Sequence, residues 1–140
     1  MAVKVVALDV YGTILPISDT ELGSRKGLEE LLDYCDNNKI LVVTSSDCPN
    51  PDVKFDLEKA KVNHWRFDCM VCLYSKPKDF FQIIDLYGIQ PNELLVVGDS
   101  VESDIKGAIN AGAQYVHVKP YTKEDDYSLS ELIKVIELIE

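Results

Sequence analysis

Residues 8–15 read LDVYGTIL, and this stretch joins a short apolar run to a polar turn. The run, Val3–Leu8, is rich in β-branched residues and predicts a buried strand. Asp9 follows it directly, with Gly12 and Thr13 just beyond. A carboxylate at the end of a buried strand costs free energy unless a partner uses its charge. We therefore expect Asp9 to take part in chemistry.

Length and composition favour an ordinary globular protein. The chain has 140 residues, which suits a single domain over residues 1–140, with 46% hydrophobic and 27% charged residues. Its net charge of −10 argues against nucleic acid as a partner, because such binding relies on clustered Lys and Arg. A small anionic substrate is still compatible if a divalent cation bridges the charges.

Nothing in the sequence predicts a membrane or secretory segment. No apolar run approaches the ~20 residues that a bilayer requires, and the N-terminus lacks a signal-peptide pattern, so we expect a cytoplasmic location without membrane contact. In that setting the four cysteines are expected to be free thiols. The pair Cys69 and Cys72 stands alone in a strand-like stretch, which favours packing over metal binding.

Apolar strands alternate with amphipathic helices along the whole chain. This alternation predicts a three-layer α/β/α sandwich around a Rossmann-like parallel sheet of five strands. In such sheets, ligands bind beyond the carboxyl ends of the strands. The predicted strands are Val3–Leu8, Ile40–Val43, Cys69–Leu73, Leu94–Val97 and Tyr115–Val118.

Polar side chains follow several of these predicted strands. Thr44 and Ser45 follow the second, Lys76 lies just after the third, and Asp99 and Asp104 follow the fourth. Two carboxylates such as Asp9 and Asp99 would repel each other at close range unless a cation lay between them. Hard oxygen ligands of this kind suit Mg²⁺. The sequence thus predicts a magnesium site at one rim of the sheet.

Four short motifs, in order, resemble those of the haloacid dehalogenase superfamily of hydrolases. They are Asp9-Val10-Tyr11-Gly12-Thr13, Leu41-Val42-Val43-Thr44, Lys76-Pro77, and Val97-Gly98-Asp99-Ser100 with Asp104 just beyond. The resemblance covers nearly the whole chain. It implies a covalent aspartyl-phosphate mechanism in which Asp9 is the nucleophile.

The resemblance also implies roles for the other matching positions. Thr44 would hydrogen-bond the transferring group, and Lys76 would steady Asp9. Gly12 and Ser45 would lie beside the substrate. The expected Mg²⁺ ligands are Asp9, the backbone carbonyl of Tyr11, Asp99 and Asp104, the last directly or through water.

Tyr11 departs from the family pattern. Phosphatases of this superfamily usually carry a second aspartate there, which protonates the leaving oxygen. Tyrosine, with a reference pKa of about 10, is a poor proton donor at neutral pH. This favours substrates with good leaving groups. The motif Asp-x-Tyr-Gly-Thr also resembles that of 2-haloacid dehalogenases, so a dehalogenase-like hydrolase is one alternative, and a non-catalytic domain that binds a phosphorylated ligand or partner is another.

The intervals between motifs are too short for the cap domain that closes over small substrates in many relatives. Ile14–Gly23 is the expected local flap. An open site suits either a large phosphorylated substrate or a small one covered by a neighbouring subunit of a homo-oligomer. The leading expectation is a Mg²⁺-dependent phosphohydrolase without a cap.

Overall fold

The computed structural model describes residues 2–17, 23–122 and 129–140. Five parallel strands form one sheet in the order β3-β2-β1-β4-β5, which confirms the expected Rossmann-like arrangement. The strands are β1 (Val5–Leu8), β2 (Leu41–Ser46), β3 (Cys69–Cys72), β4 (Leu94–Gly98) and β5 (Gln114–His117).

Helices cover both faces of the sheet and complete the expected three layers. Helices α1, α2 and α5 pack on one face and α3 and α4 on the other, each through buried apolar side chains. The helices are α1 (Leu28–Asn37), α2 (Asn50–Lys59), α3 (Phe81–Tyr87), α4 (Lys106–Ala111) and α5 (Leu129–Ile139). Every strand and helix of the described ranges belongs to this sandwich, and no cap is present there. None of these helices is long and apolar enough to span a membrane.

Side-chain alternation along the strands sorts the core into two halves. In β1, Val6 and Leu8 face the α1, α2 and α5 layer, whereas Val5 and Ala7 face the α3 and α4 layer. The same alternation continues in β2 and β4. A residue directly after a strand is therefore expected on the same face of the sheet as the residue two places before it.

The segment between β4 and α4 is not a regular α-helix. Residues Val101–Ile105 form a wide, π-helical turn in which the amide of Ile105 donates to the carbonyl of Ser100 at 3.2 Å. Such wide turns are frequent at functional sites because they redirect side chains. Here the turn carries Asp104 back over the end of β4. Of the expected flap, residues 18–22 lie outside the described ranges.

Candidate active site

Strand register brings three of the expected segments together at the carboxyl ends of the central strands. Leu8 pairs with Thr44 on one side and with Val97 on the other. Asp9 therefore lies between Ser45 and Gly98. The structure thus places the end of β1 at the centre of the predicted rim.

A buried lysine holds this centre together, and it is Lys78. Its Nζ donates to Asp9 Oδ1 at 2.9 Å, to Asp104 Oδ1 at 2.6 Å and to the carbonyl of Ser45 at 2.8 Å. Only 3% of the Lys78 side chain is exposed. Burial lowers the pKa of Lys78, but the charges of Asp9 and Asp104 outweigh burial and leave that pKa above its ordinary value. Lys78 is therefore a cation.

The sequence predicts that Lys76 steadies Asp9, but the lysine that contacts Asp9 is Lys78. Lys76 is exposed and lies at the rim of the cavity, two residues before the lysine that reaches Asp9. The chain turns inward after Pro77, and the amide of Lys78 donates to the carbonyl of Ser103 at 3.0 Å. The helix α4 also approaches this segment closely, because a Cβ on Gly107 would lie 2.4 Å from the carbonyl oxygen of Lys78.

Three carboxylates converge beside this lysine, as the sequence predicts. Asp9, Asp99 and Asp104 each offer one oxygen, and these oxygens lie within 4.8 Å of one another. The hydroxyl of Thr13 lies 3.2 Å from Asp9 Oδ2 and 3.4 Å from Asp99 Oδ1, so it bridges the first two. The donor set consists of hard oxygen atoms, which fits a divalent cation such as Mg²⁺.

The pKa values of Asp99 and Asp104 are both raised. Burial and the neighbouring Asp9 carboxylate raise the pKa of Asp99 above its ordinary range, with a further contribution from Asp104. Burial and Asp9 also raise the pKa of Asp104, although Lys78 opposes that shift. One lysine does not compensate three carboxylates, and this excess negative charge is what a bound cation would relieve.

Two glycines make room for these carboxylates. A Cβ on Gly12 would lie 2.3 Å from Asp99 Oδ2, and Gly12 also has a positive φ of 87°. A Cβ on Gly98 would lie 2.3 Å from Asp104 Oδ2. Both positions therefore exclude a side chain for steric reasons. The expected contact of Gly12 with a substrate stays a prediction.

The two hydroxyl residues at the end of β2 face opposite sides of the sheet. Thr44 shares the face of Val42, and Ser45 shares the face of Val43, on which Asp9 also lies. Both are buried, and Ser45 Oγ has no hydrogen-bond partner among the described residues. Neither residue lines the cavity above the cluster, so the expected contacts of Thr44 and Ser45 with a bound group stay predictions.

The side chain of Tyr11 points away from the carboxylate cluster. Its hydroxyl donates to Asp56 Oδ2 on α2, and its ring packs against the core on that face. Burial, followed by the hydrogen bond to Asp56 and the charge of that carboxylate, raises the pKa of Tyr11 well above its ordinary value. Tyr11 is therefore still less able to donate a proton than an ordinary tyrosine.

A cavity of about 250 Å³ opens above the cluster. Besides the three carboxylates and Lys78, it is lined by six residues: Tyr11, Ile17, Asp47, Lys76, Ser100 and Ser103. Thr44 and Ser45 lie beneath it rather than in its wall. Sequence reasoning missed Lys78, Asp47, Ser100 and Ser103. The only available signal was their proximity to the ends of strands.

Comparison with known proteins agrees with this geometry. Residues 73–128 match the family model described as HAD-hydrolase-like. The N-acylneuraminate-9-phosphatase of Rattus norvegicus is 47% identical over 36 residues, which are 26% of this chain and 14% of that enzyme. The glyceraldehyde 3-phosphate phosphatase of Pyrococcus furiosus is 33% identical over 73 residues, 46% of this chain and 30% of that enzyme. The chain thus spans less than a third of the length of either relative.

The fold has close counterparts among solved structures. A protein of Haemophilus somnus, described as a predicted phosphoglycolate phosphatase, superposes with a TM-score of 0.77 at 15% identity. The similarity covers 99% of this chain and 98% of that one. This likeness concerns the fold, and the match over residues 73–128 makes that part of the chain similar to HAD-like hydrolases.

Proposed function

We propose that the protein is a Mg²⁺-dependent phosphohydrolase that acts through a covalent intermediate on Asp9. The observation that carries this proposal is the buried Lys78, which holds Asp9 and Asp104 beside Asp99. A lysine among converging carboxylates orients one oxygen of Asp9. It also leaves the negative charge that a divalent cation would neutralise. The phosphatases named among the relatives support this interpretation.

Asp9 and Asp99 would hold Mg²⁺ directly, and the family resemblance implies the backbone carbonyl of Tyr11 as a further ligand. Both carboxylate oxygens of Asp104 already have protein partners, Oδ1 with Lys78 at 2.6 Å and Oδ2 with the amide of Ser100 at 3.4 Å. Asp104 would act on the cation directly or through water. When bound, Mg²⁺ supplies positive charge for the oxygens of the transferred phosphoryl group.

The reaction has two displacements at phosphorus. In the first, an oxygen of Asp9 forms a bond to phosphorus and the ester P–O bond breaks, its electron pair leaving with the alcohol oxygen. In the second, water attacks phosphorus, the bond to Asp9 breaks, and inorganic phosphate leaves. Lys78 orients Asp9 and stabilises charge in both steps.

The departing oxygen receives no proton from Tyr11, because the Tyr11 hydroxyl is engaged with Asp56. Substrates whose leaving groups are stable as anions, such as aryl or acyl phosphates, suit this site best. The carboxylate cluster favours phosphoryl transfer over the dehalogenase alternative, which uses no metal. We infer that the described fold and this site act as one domain.

The direct test is hydrolysis of 4-nitrophenyl phosphate with Mg²⁺ and with EDTA. We expect phosphate release that requires both Mg²⁺ and Asp9, with a loss of at least about a thousandfold in Asp9→Asn because the nucleophile is removed. Asp85→Asn, an exposed carboxylate on α3, is the matched control and should keep wild-type turnover. Equal release by Asp9→Asn would contradict the proposal.

Asp99→Asn tests the metal site through stability. The raised pKa values mean that the folded protein binds protons more tightly than the unfolded chain does. Metal-free stability therefore falls as pH rises above the ordinary carboxyl range. Asp99→Asn removes one repelling charge, so we expect its metal-free Tm at about pH 8 to rise by about 2–4 °C.

The same experiment includes titration with Mg²⁺. Wild type should gain thermal stability on adding Mg²⁺, and Asp99→Asn should lose that gain. Asp85→Asn again serves as the control, since its carboxylate is exposed and outside the cluster. An Asp99→Asn protein that still gains as much as wild type would show that Asp99 is not a ligand.

The two lysines of the third motif form a matched pair for mutation. Lys78→Met should lower kcat by about a hundredfold or more, because Asp9 and Asp104 lose their shared partner, and it should also lower the metal-free Tm. Lys76→Met should keep kcat within about threefold and leave Tm unchanged, because Lys76 is exposed. The opposite ranking in kcat would show that Lys76 is the functional residue.

Replacing Tyr11 tests the missing general acid. Tyr11→Asp should raise kcat for alkyl phosphates by about tenfold or more, since a positioned acid contributes about 10²–10⁴-fold. Aryl phosphates, whose leaving groups need no proton, should gain little. Tyr11→Phe controls for loss of the bond to Asp56 and should leave the ratio of alkyl to aryl rates unchanged. A fall of that ratio in Tyr11→Phe would mean that the Tyr11 hydroxyl does protonate the leaving group.

A further inference from the structure

A second cavity, of about 600 Å³, adjoins the one above Asp9. The two share Tyr11, Ile17 and Asp47 in their walls, so they are continuous at that side. The second cavity continues over α2, where Asp52, Phe55 and Asp56 line it. Its volume lies in the range of small-molecule sites.

The direction of attack places the leaving group on the outer side of the site. In a displacement at phosphorus, the attacking and leaving oxygens lie roughly in line. An attack by Asp9 from the end of β1 would direct the leaving group away from the sheet, toward the open side of the cavity that Tyr11 lines. The bond from Tyr11 to Asp56 holds the ring in place as the wall between the two cavities. The second cavity is therefore within reach of the leaving group.

The lining of this cavity combines apolar surface with negative charge. Phe55 is 66% exposed and Ile17 is 52% exposed, and both line the cavity with the ring of Tyr11. The carboxylates are those of Asp47, Asp52 and Asp56. No ion pair among the described residues includes any of these three.

The hydrogen bond that Asp56 accepts does not neutralise its negative charge. Asp56 accepts a hydrogen bond from Tyr11, a neutral donor. Among the described residues, the carboxylates that are close enough to hold a metal ion have oxygens within 4.8 Å of one another. That group does not include Asp47, Asp52 or Asp56. A spread of carboxylates between exposed aromatic and aliphatic side chains suits an organic cation better than a metal ion, since a cation is attracted by aromatic faces as well.

We propose that this cavity is the leaving-group site and that it selects phosphomonoesters whose small leaving group carries an organic ammonium ion. This inference rests on the proposed phosphohydrolase activity and specifies its substrate class. The phosphoryl group lies above Asp9, and the cationic end of the leaving group lies among Asp47, Asp52 and Asp56. The ring of Phe55 contacts its alkyl groups.

The test compares two aryl esters of the same shape. One is 4-(trimethylammoniomethyl)phenyl phosphate, and the other is 4-neopentylphenyl phosphate, in which carbon replaces the charged nitrogen. We expect wild type to favour the charged ester in kcat/KM, and at low salt by about tenfold more than Asp47→Asn/Asp52→Asn does, because the exposed carboxylates each contribute a modest attraction. The comparison between variants cancels the difference in leaving-group ability between the two phenols. The preference should shrink as salt is added.

Variants separate this inference from the function on which it rests. Asp52→Asn, which lies outside the cavity above Asp9, should reduce the preference by about twofold to fourfold with little change for the neutral ester. Asp47→Asn/Asp52→Asn should reduce the preference further. Asp85→Asn should leave it unchanged. The inference would be overturned by equal kcat/KM for the two esters, or by a preference that the double substitution leaves undiminished. Asp9-dependent turnover in the same experiment would still uphold the phosphohydrolase. Absence of Asp9-dependent hydrolysis of either ester would overturn both.

Discussion

The buried ammonium group of Lys78 is the constraint on which the rest of the site depends. It binds Asp9, Asp104 and the carbonyl of Ser45, and these groups come from three different segments of the chain. Charges this deeply buried are unfavourable without partners, so the lysine and the carboxylates require one another. Its three bonds fix the relative positions of the ends of β1 and β2 and of the wide turn after β4. Asp99, half-buried beside them, then adds the charge that a cation would balance.

The two faces of the sheet divide the work of the site. Asp9, Ser45 and Lys78 belong to the face covered by α3 and α4, and they form the centre at which phosphorus would react. Tyr11 turns to the opposite face, where its bond to Asp56 on α2 makes it a wall of the neighbouring cavity. In the proposed reaction, this tyrosine would supply no acid and would shape the side of the leaving group. The two consequences act together on substrate choice.

Much of this arrangement could be predicted from local sequence. The alternation of strands and helices predicts the sheet, and a carboxylate after the first strand identifies Asp9. The sequence could not show that Lys78, rather than Lys76, contacts Asp9. The segment is irregular, so its side chains do not follow the spacing of a helix or a strand. The Tyr11–Asp56 hydrogen bond joins residues 45 positions apart, and no local sequence pattern predicts it. Ser45, not Thr44, lies on the same face as Asp9. This depends on strand register, which follows from pairing across the sheet.

The central claim is that Asp9, held by Lys78, becomes covalently phosphorylated. The measurement that tests it most directly is mass spectrometry of the protein quenched in acid shortly after mixing with an aryl phosphate and Mg²⁺. We predict a peptide carrying Asp9 that is heavier by one phosphoryl group, with faster formation in wild type than in Lys78→Met. No such peptide in a turning-over sample, or a phosphoryl group on another residue, would contradict the account.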